Sequence, residues 1–423
     1  MTVLLLTVSG LCAQNGTSSP YSFFGIGESR LSGTVENQMM GGIGVYSDSI
    51  HVNLRNPAGY SQLGIKSLEN GRLAVYSGAI SRNQLRLTTT DGEESTAVTN
   101  LDYLALGFNI GDGFGVGFGI SPYSSVGYNL LSESTNVDGA NVINLYQGEG
   151  GLNRVYVSAA YEFFEDFSFG ITANYNFGTL ESTNTQTVED VQFGTRDEKS
   201  SNVGGLDFNY GVQYNPQLTE KHRLFASVRI NTQANLTAKN SRRIGSYLVS
   251  EGRTIESIDV NLDAEGLRNT ELKIPTSVTL GAGYGEDKKW FLGAEYSTQN
   301  WDKFSNDFLG VDNITYQNAS TFAFGGFFIP DYDAFNGYLK RITYRAGARF
   351  GKTGMVVNNN EINDLGITFG VGLPLGRSFA NINLGFEVGK RGTTEANLTE
   401  ENYFKINLGF SFNDIWFRKR KIN

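Results

Sequence analysis

From residue 73 to residue 412, apolar and polar side chains alternate one by one through segment after segment. Near the C-terminus Ile382, Leu384, Phe386 and Val388 interleave with Asn381, Asn383, Gly385, Glu387 and Gly389. In the next segment Phe404, Ile406, Leu408, Phe410 and Phe412 interleave with Lys405, Asn407, Gly409 and Ser411. Successive side chains of a strand point to opposite faces, so each segment has one apolar and one polar face. The segments run to about nine residues or more, the length a tilted strand needs to cross a bilayer. A soluble sandwich also alternates, but it does not hold so many segments to one length and phase. The pattern predicts an all-β protein, a transmembrane antiparallel β-barrel of about fourteen strands. The strands are expected near 72–87, 99–110, 113–128, 153–163, 167–180, 202–214, 223–236, 272–284, 289–301, 319–329, 341–351, 365–373, 380–389 and 403–412.

The links between these segments alternate in length, as short periplasmic turns and longer external loops do in outer-membrane barrels. Links 111–112, 164–166, 215–222, 285–288 and 374–379 are short, whereas 129–152, 181–201 and 237–271 are long. Link 330–340 belongs to the short set yet is of middling length. Both barrel ends of the chain then lie in the periplasm. An alternating stretch at 255–262 inside the longest link predicts a hairpin above the barrel.

Composition agrees with this picture. Hydrophobic residues make up 39% of the chain, too few for a bundle of membrane helices. The 29 Phe and 21 Tyr suit two interfacial aromatic girdles. Net charge is -9, and no long basic stripe offers to neutralise phosphates, which argues against nucleic acid. The basic run Arg418, Lys419, Arg420 and Lys421 reads as a solvated periplasmic tail, 414–423. Residues 1–13 (MTVLLLTVSGLCA) read as a signal peptide cut before Gln14, with a basic start expected upstream of Met1. Leu11 stands before Cys12, where a lipoprotein signal wants a small residue. The localisation predicted is the bacterial outer membrane.

Candidate chemistry is sparse. The two histidines, His51 and His222, fall outside the strand cores, and no Ser–His pairing on neighbouring strands is evident. Two His and one Cys give no transition-metal ligand spacing, and no Asp-x-Asn-x-Asp-Gly loop occurs. The glycines of 113–117 sit on a strand with no helix after it, so a dinucleotide reading fails. No enzyme activity and no cofactor is expected.

Residues 14–71 precede the first strand and have a different character. They contain Met40-Gly41-Gly42-Ile43-Gly44-Val45, then Asp48, then Asn56-Pro57-Ala58-Gly59. Such a segment either folds into the lumen as a plug or extends into the periplasm. Gly41, Gly42, Gly44, Asn56, Pro57, Ala58 and Gly59 resemble the N-terminal hatch of FadL-type outer-membrane transporters. So does the third segment, where Gly115-Val116-Gly117-Phe118-Gly119-Ile120 is followed by Pro122 and Tyr123. The closing stretch 406–413 with Trp416 is similar to the barrel ending of many such proteins. The resemblance spans the chain by architecture, and by specific residues only in the hatch and third strand. It implies a hatch at 14–71, a fourteen-stranded barrel at 72–413, and a path for long-chain fatty acid-like compounds with a sideways exit into the membrane. It also implies an alternative, since members of this broad family serve as accessory subunits in secretion or barrel assembly.

Two wall features bear on these expectations. In the third strand Phe114, Val116, Phe118 and Ile120 face one way, and Gly113, Gly115, Gly117 and Gly119 the other, which leaves room for the plug. Pro122 then removes a ladder hydrogen bond where a closed barrel has no edge. Ser121, Pro122, Tyr123 and Gly127 therefore mark either a lateral opening or a bulge near the rim, and the resemblance favours the opening. In the eleventh strand Arg341, Arg345 and Arg349 share a face opposite Ile342, Tyr344, Ala346, Ala348 and Phe350. An arginine facing lipid at midplane costs roughly 2–4 kcal/mol, so all three are expected in the lumen. There they pair with Glu162, Asp207, Glu295 or Glu387, or else hold a ligand carboxylate.

Three functions stand open at this point. The first is passive uptake of hydrophobic small molecules, with an apolar pocket reached from loops carrying Leu130, Leu131, Val142, Ile143, Leu145 and Tyr146. The second is a FadL-like subunit of a secretion or barrel-assembly complex, with a filled lumen. The third, a water-filled porin, conflicts with a plug. Expected partners are outer-membrane lipid, a hydrophobic small-molecule ligand, and other outer-membrane or periplasmic proteins.

Overall fold

The computed structural model describes residues 16–30, 32–64, 72–111, 113–164, 166–310, 314–376 and 380–416. The expected signal peptide, and the tail from 417 onward, lie outside the described residues. Fourteen antiparallel strands form one closed sheet. They are β1 (Arg72–Thr88), β2 (Glu93–Gly111), β3 (Phe114–Thr135), β4 (Asn141–Phe163), β5 (Phe167–Val188), β6 (Phe193–Tyr214) and β7 (His222–Asn231 with Ala234–Leu248). Then follow β8 (Asn269–Ile274 with Ser277–Glu286), β9 (Trp290–Asn300), β10 (Asn318–Phe328), β11 (Thr343–Val357), β12 (Asn360–Pro374), β13 (Asn381–Arg391) and β14 (Glu400–Trp416). The barrel closes where β14 pairs with β1, from Arg72 opposite Trp416 to Thr88 opposite Glu400. Closure gives every strand two neighbours, which is what lets a sheet stand in hydrocarbon.

Burial runs inside out. On β13 and β14 Asn383, Glu387, Glu401, Asn407 and Ser411 are buried, while Phe386, Val388, Phe404, Leu408 and Phe410 are exposed. The same inversion holds on β9 to β12, where Leu292, Phe324, Phe350 and Phe369 point outward. The apolar face therefore meets lipid and the polar face meets the interior.

The strands are longer than the pattern predicts on the side away from the chain ends. Stretches 129–152 and 181–201, expected as loops, instead continue β3–β4 and β5–β6 into tall hairpins closed by short turns. Stretch 237–271 continues β7 to Leu248, and Arg253–Asp259 folds back along it. Above the bilayer both faces of a strand meet water or protein, so no apolar phase is needed and the period-two signal fades. The six residues expected to line loops, Leu130 to Tyr146, thus sit on β3 and β4.

Residues 16–64 run inside this wall. They contain a 3-10 turn at Pro20–Phe23, a two-residue strand at Glu28–Ser29, a short helix at Val35–Gln38 and a 3-10 turn at Pro57–Gln62. The helix starts with a capping box between Thr34 and Asn37, and Asn56 accepts from Ala58 N–H to start the last turn. Inward glycines of the wall receive the segment. A side chain on Gly115 or Gly117 would strike Tyr60; on Gly170, Pro57 and Ala58; on Gly211, Asn56 and Pro57. On the far side Gly325 and Gly347 meet Met40, Gly370 and Gly385 meet Met39, and Gly409 meets Val35. Backbone can approach backbone this closely only where no Cβ intervenes.

Candidate functional site

The wall is interrupted beside Pro122. β3 pairs with β4 throughout, apart from a one-residue bulge at Tyr123. Its pairing with β2 stops at Leu104 opposite Ile120. Beyond that point β2 continues along β1 alone, so a seam opens between β2 and β3. The N-terminal segment occupies the β3 edge. Glu28 pairs with Ser125 and Ser29 with Ser124, Arg30 N–H donates to the Tyr123 carbonyl at 3.0 Å, and Gly127 N–H donates to Ser22 Oγ at 3.1 Å. Gly27, at φ +89°, lies so close to the Ser125 carbonyl that a side chain would collide with it. Ser121, Pro122, Tyr123 and Gly127 therefore all lie along this seam.

The strand in the seam is held by charge. Glu28 accepts from Arg391 of β13 at 2.9 Å and from the Thr17 hydroxyl, and Arg30 Nε donates to Ser125 Oγ at 3.1 Å. Burial opposes ionisation of Glu28, but Arg391 and Arg30 outweigh it and hold its carboxyl down to about 2. Below the seam lies a cavity of about 140 Å³ lined by Arg30, Asp102, Tyr123, Arg154, Tyr156 and Lys405 among others. Arg154 pairs with Asp207 at 2.9 Å and covers the Tyr123 ring at 4.2 Å, while Asn174 and Asn176 also donate to Asp207. The space next to the seam is thus lined by polar and apolar groups in about equal measure. A second cavity, about 240 Å³, lies towards the tall hairpins between Phe23, Tyr128, Tyr146, Leu180, Asp197 and Lys199. Of the residues expected to admit an apolar ligand, Leu130 and Tyr146 pack around Phe23 and Ile26, Val142 is buried, and Leu131 is exposed.

The Gly-rich run is pinned at the opposite wall. Gly41 N–H donates to Thr368 Oγ1 at 3.0 Å and Gly44 N–H to Glu295 Oε1 at 2.7 Å. Glu295 also binds Arg55 at 3.2 Å, and Arg229 donates to the Arg55 carbonyl at 2.7 Å. Gly59 sits against Ser47 and Asn53, with Pro57 and Ala58 against β5 as described above. Gly42, at φ +85°, turns the chain after the helix.

The three arginines separate. Arg349 reaches Glu387, Asp364 and the Tyr403 hydroxyl inside the barrel. Arg345 is buried and donates to Asn383 Oδ1 at 2.9 Å. Arg341 is not on the strand face: it ends a 3-10 turn, Tyr338–Arg341, before β11 begins at Thr343, and donates to the Gly376 carbonyl. Alternation carried the strand reading two residues into a turn. Gly113 is likewise a turn residue at φ +70°, ahead of Phe114, where a Cβ would meet Glu162.

Two features were not read from the sequence. One is the strand Glu28–Ser29 and its Arg391 partner. The other is an acid–base group at the short-turn end, where His51 Nδ1 meets Asp48 at 2.7 Å and His51 Nε2 lies 3.8 Å from Glu36. The spacing Asp48-x-x-His51 was the available signal. Burial opposes charge on both partners, but their mutual attraction and hydrogen bonding prevail, so Asp48 is lowered and His51 raised.

These features define a class: an outer-membrane β-barrel whose N-terminal segment fills its lumen, the FadL-type fold. The chain belongs to the BamG family, whose model matches residues 1–423. Solved structures share the fold at low identity. The toluene transporter TodX of P. putida superposes with a TM-score of 0.61 at 16% identity, over 92% of this chain and 100% of that one. The toluene transporter TbuX of Ralstonia pickettii gives 0.55 at 14%, over 93% and 99%. A Pseudomonas aeruginosa FadL homologue gives 0.52 at 11%, over 92% and 99%. No curated protein matches the sequence.

Proposed function

We propose that this protein is an accessory subunit of an outer-membrane barrel-assembly complex, built on a FadL-type scaffold. The observation that carries the reading is the way residues 16–64 are fastened to the wall. Wall glycines from β3 round to β14 receive the segment, and Glu295, Thr368 and Asn383 bond it. The cavities beside it near Pro122 and the tall hairpins are small. A segment fastened at so many points favours a plugged barrel over an open conduit. Membership of the barrel-assembly-related BamG family supports the same reading. In it, 14–71 act as a fixed hatch within the barrel of 72–413, and no catalytic step or cofactor is involved. Depletion of the protein should lower the amount of folded outer-membrane barrels in general. Unchanged levels of folded barrels after depletion would refute the reading.

A second reading has a specific observation in its favour. The seam between β2 and β3 at Pro122, on a fold shared with two toluene transporters, suits sideways release of a hydrophobic compound into the bilayer. Uptake of a labelled fatty acid or toluene that falls on Pro122→Val would support this exit. Uptake that persists unchanged would place the exit elsewhere.

A further inference from the structure

We propose that a cavity at the periplasmic end of the barrel binds the C-terminal end of a polypeptide, with its carboxylate on Arg345 and its last side chain, an apolar one, against Tyr46 and Phe327. The cavity measures about 410 Å³, within the range of roughly 300–1,000 Å³ typical of ligand pockets. It lies between the N-terminal segment and the short-turn ends of β8 to β13, the end that carries both chain ends of the barrel. One wall is apolar, made by Tyr46, Phe327, Ile329 and Tyr332.

Arg345 lines the cavity beside this wall, directly across the strand pair from Phe327, and is 8% exposed. Among the described residues its guanidinium donates to Asn383 Oδ1 at 2.9 Å and meets no carboxylate within 4 Å. Arg349, the next inward arginine of the same strand, is saturated by two carboxylates. A guanidinium has five N–H donors in a planar fork matched to a carboxylate, and the carboxylates of Glu36 and Asp48 act on this one only from beyond ion-pair distance. The same Asn383 donates through Nδ2 to Glu36 Oε1 at 2.8 Å, while Glu36 Oε2 is buried with no donor. One amide therefore joins a guanidinium short of acceptors to a carboxylate short of a donor. A ligand that satisfies both presents a carboxylate and, beside it, an N–H. The last residue of a peptide does so, whereas a fatty acid or aryl carboxylate has no N–H to offer.

The charges at the mouth agree with an anionic guest. Lys288 stands over the Tyr332 ring at 5.0 Å and Arg341 lines the opening, while Asp48 and His51 are paired with each other. A cationic rim raises the local concentration of carboxylates. The site stands on these residues whether the protein serves assembly or uptake.

The test is fluorescence polarisation with the full chain in detergent micelles and a labelled hexapeptide ending in Phe. The free-acid peptide should bind at least tenfold tighter than its C-terminal amide, and Arg345→Gln should lose about the same factor. Glu36→Gln should weaken the peptide, and 3-phenylpropionate should compete poorly. Heat-modifiable mobility on gels reports that each variant barrel is folded. If Arg345→Gln does not fold, Arg341→Gln at the mouth should weaken the acid severalfold while leaving the amide unchanged. Equal binding of acid and amide, unaltered binding by a folded arginine variant, or competition by 3-phenylpropionate as strong as by the peptide would each overturn the proposal.

Discussion

Glu295→Ala is expected to release the centre of the N-terminal segment without unfolding the barrel. Glu295 is 5% exposed and accepts from both Gly44 N–H and Arg55. Hydrogen bonds to a charged group contribute about 1.5–3 kcal/mol each. Removing one partner of a buried pair costs about 3–5 kcal/mol, because the other charge is left uncompensated, and Arg55 here is itself 9% exposed. β9 keeps its ladder with β8 and β10 through backbone groups, so the loss falls on the segment. If opening of the segment governs exposure, and each 1.4 kcal/mol is tenfold, labelling should accelerate on the order of a hundredfold to a thousandfold. The assay is the rate of maleimide labelling of Ser47→Cys in a background without Cys12. Glu295→Gln keeps an acceptor for Gly44 and should give a smaller acceleration. A folded Glu295→Ala barrel that labels at the parent rate would refute the view that this carboxylate pins the segment.

Three further outcomes are expected. Cysteines placed at Ser29 and Ser124, which pair directly across the seam, should form a disulfide readily on oxidation, since opposed strand residues sit about 4.5–5.5 Å apart; no crosslink in folded protein would remove the segment from the seam. Phe386→Arg, on the lipid face, should destabilise the barrel by roughly 2–4 kcal/mol in urea unfolding from bilayers, and a neutral result would contradict the membrane placement. The Asp48–His51 pair should make exposure of the N-terminal segment around it depend on pH: the stabilisation from raised His51 is complete below its ordinary 6.5 and lost as pH rises through the higher folded value, while that from lowered Asp48 is complete above its ordinary 3.8 and lost as pH falls through the lower folded value. Hydrogen exchange at residues 46–53 should therefore be slowest between the two ordinary values, 3.8 and 6.5, after correction for intrinsic rates, and His51→Asn should abolish the alkaline limb.

What the sequence made legible follows from what the bilayer imposes. Phe386, Leu408 and Phe410 had to face hydrocarbon, so period-two alternation located the spanning parts of β13 and β14 and the count of strands. Where β3 to β6 rise above the membrane that demand ends, and Ser, Thr and Asn on both faces looked like loop. The glycines of β3 were readable because four alternate positions lacked side chains, although Gly113 is at the turn. The missing donor at Pro122 left a bulge and an opening equally open; β3 carries a bulge at Tyr123 and leaves β2 beyond Ile120. The strand that occupies the seam was not readable: two residues carry no periodicity, and Glu28 meets Arg391 across 363 positions of sequence. Arg345 and Arg349 were read onto the correct strand, but which of them finds a carboxylate depends on register between β11, β12 and β13, which alternation alone does not give.

The most direct test of the central claim is native mass spectrometry of the protein extracted from its own outer membrane in mild detergent. An accessory subunit of barrel assembly should emerge in stoichiometric complexes with another outer-membrane barrel protein and its associated components, with no small hydrophobic molecule bound in its lumen. A lone barrel carrying a co-purified fatty acid or aromatic compound would contradict the account and support uptake through the Pro122 seam.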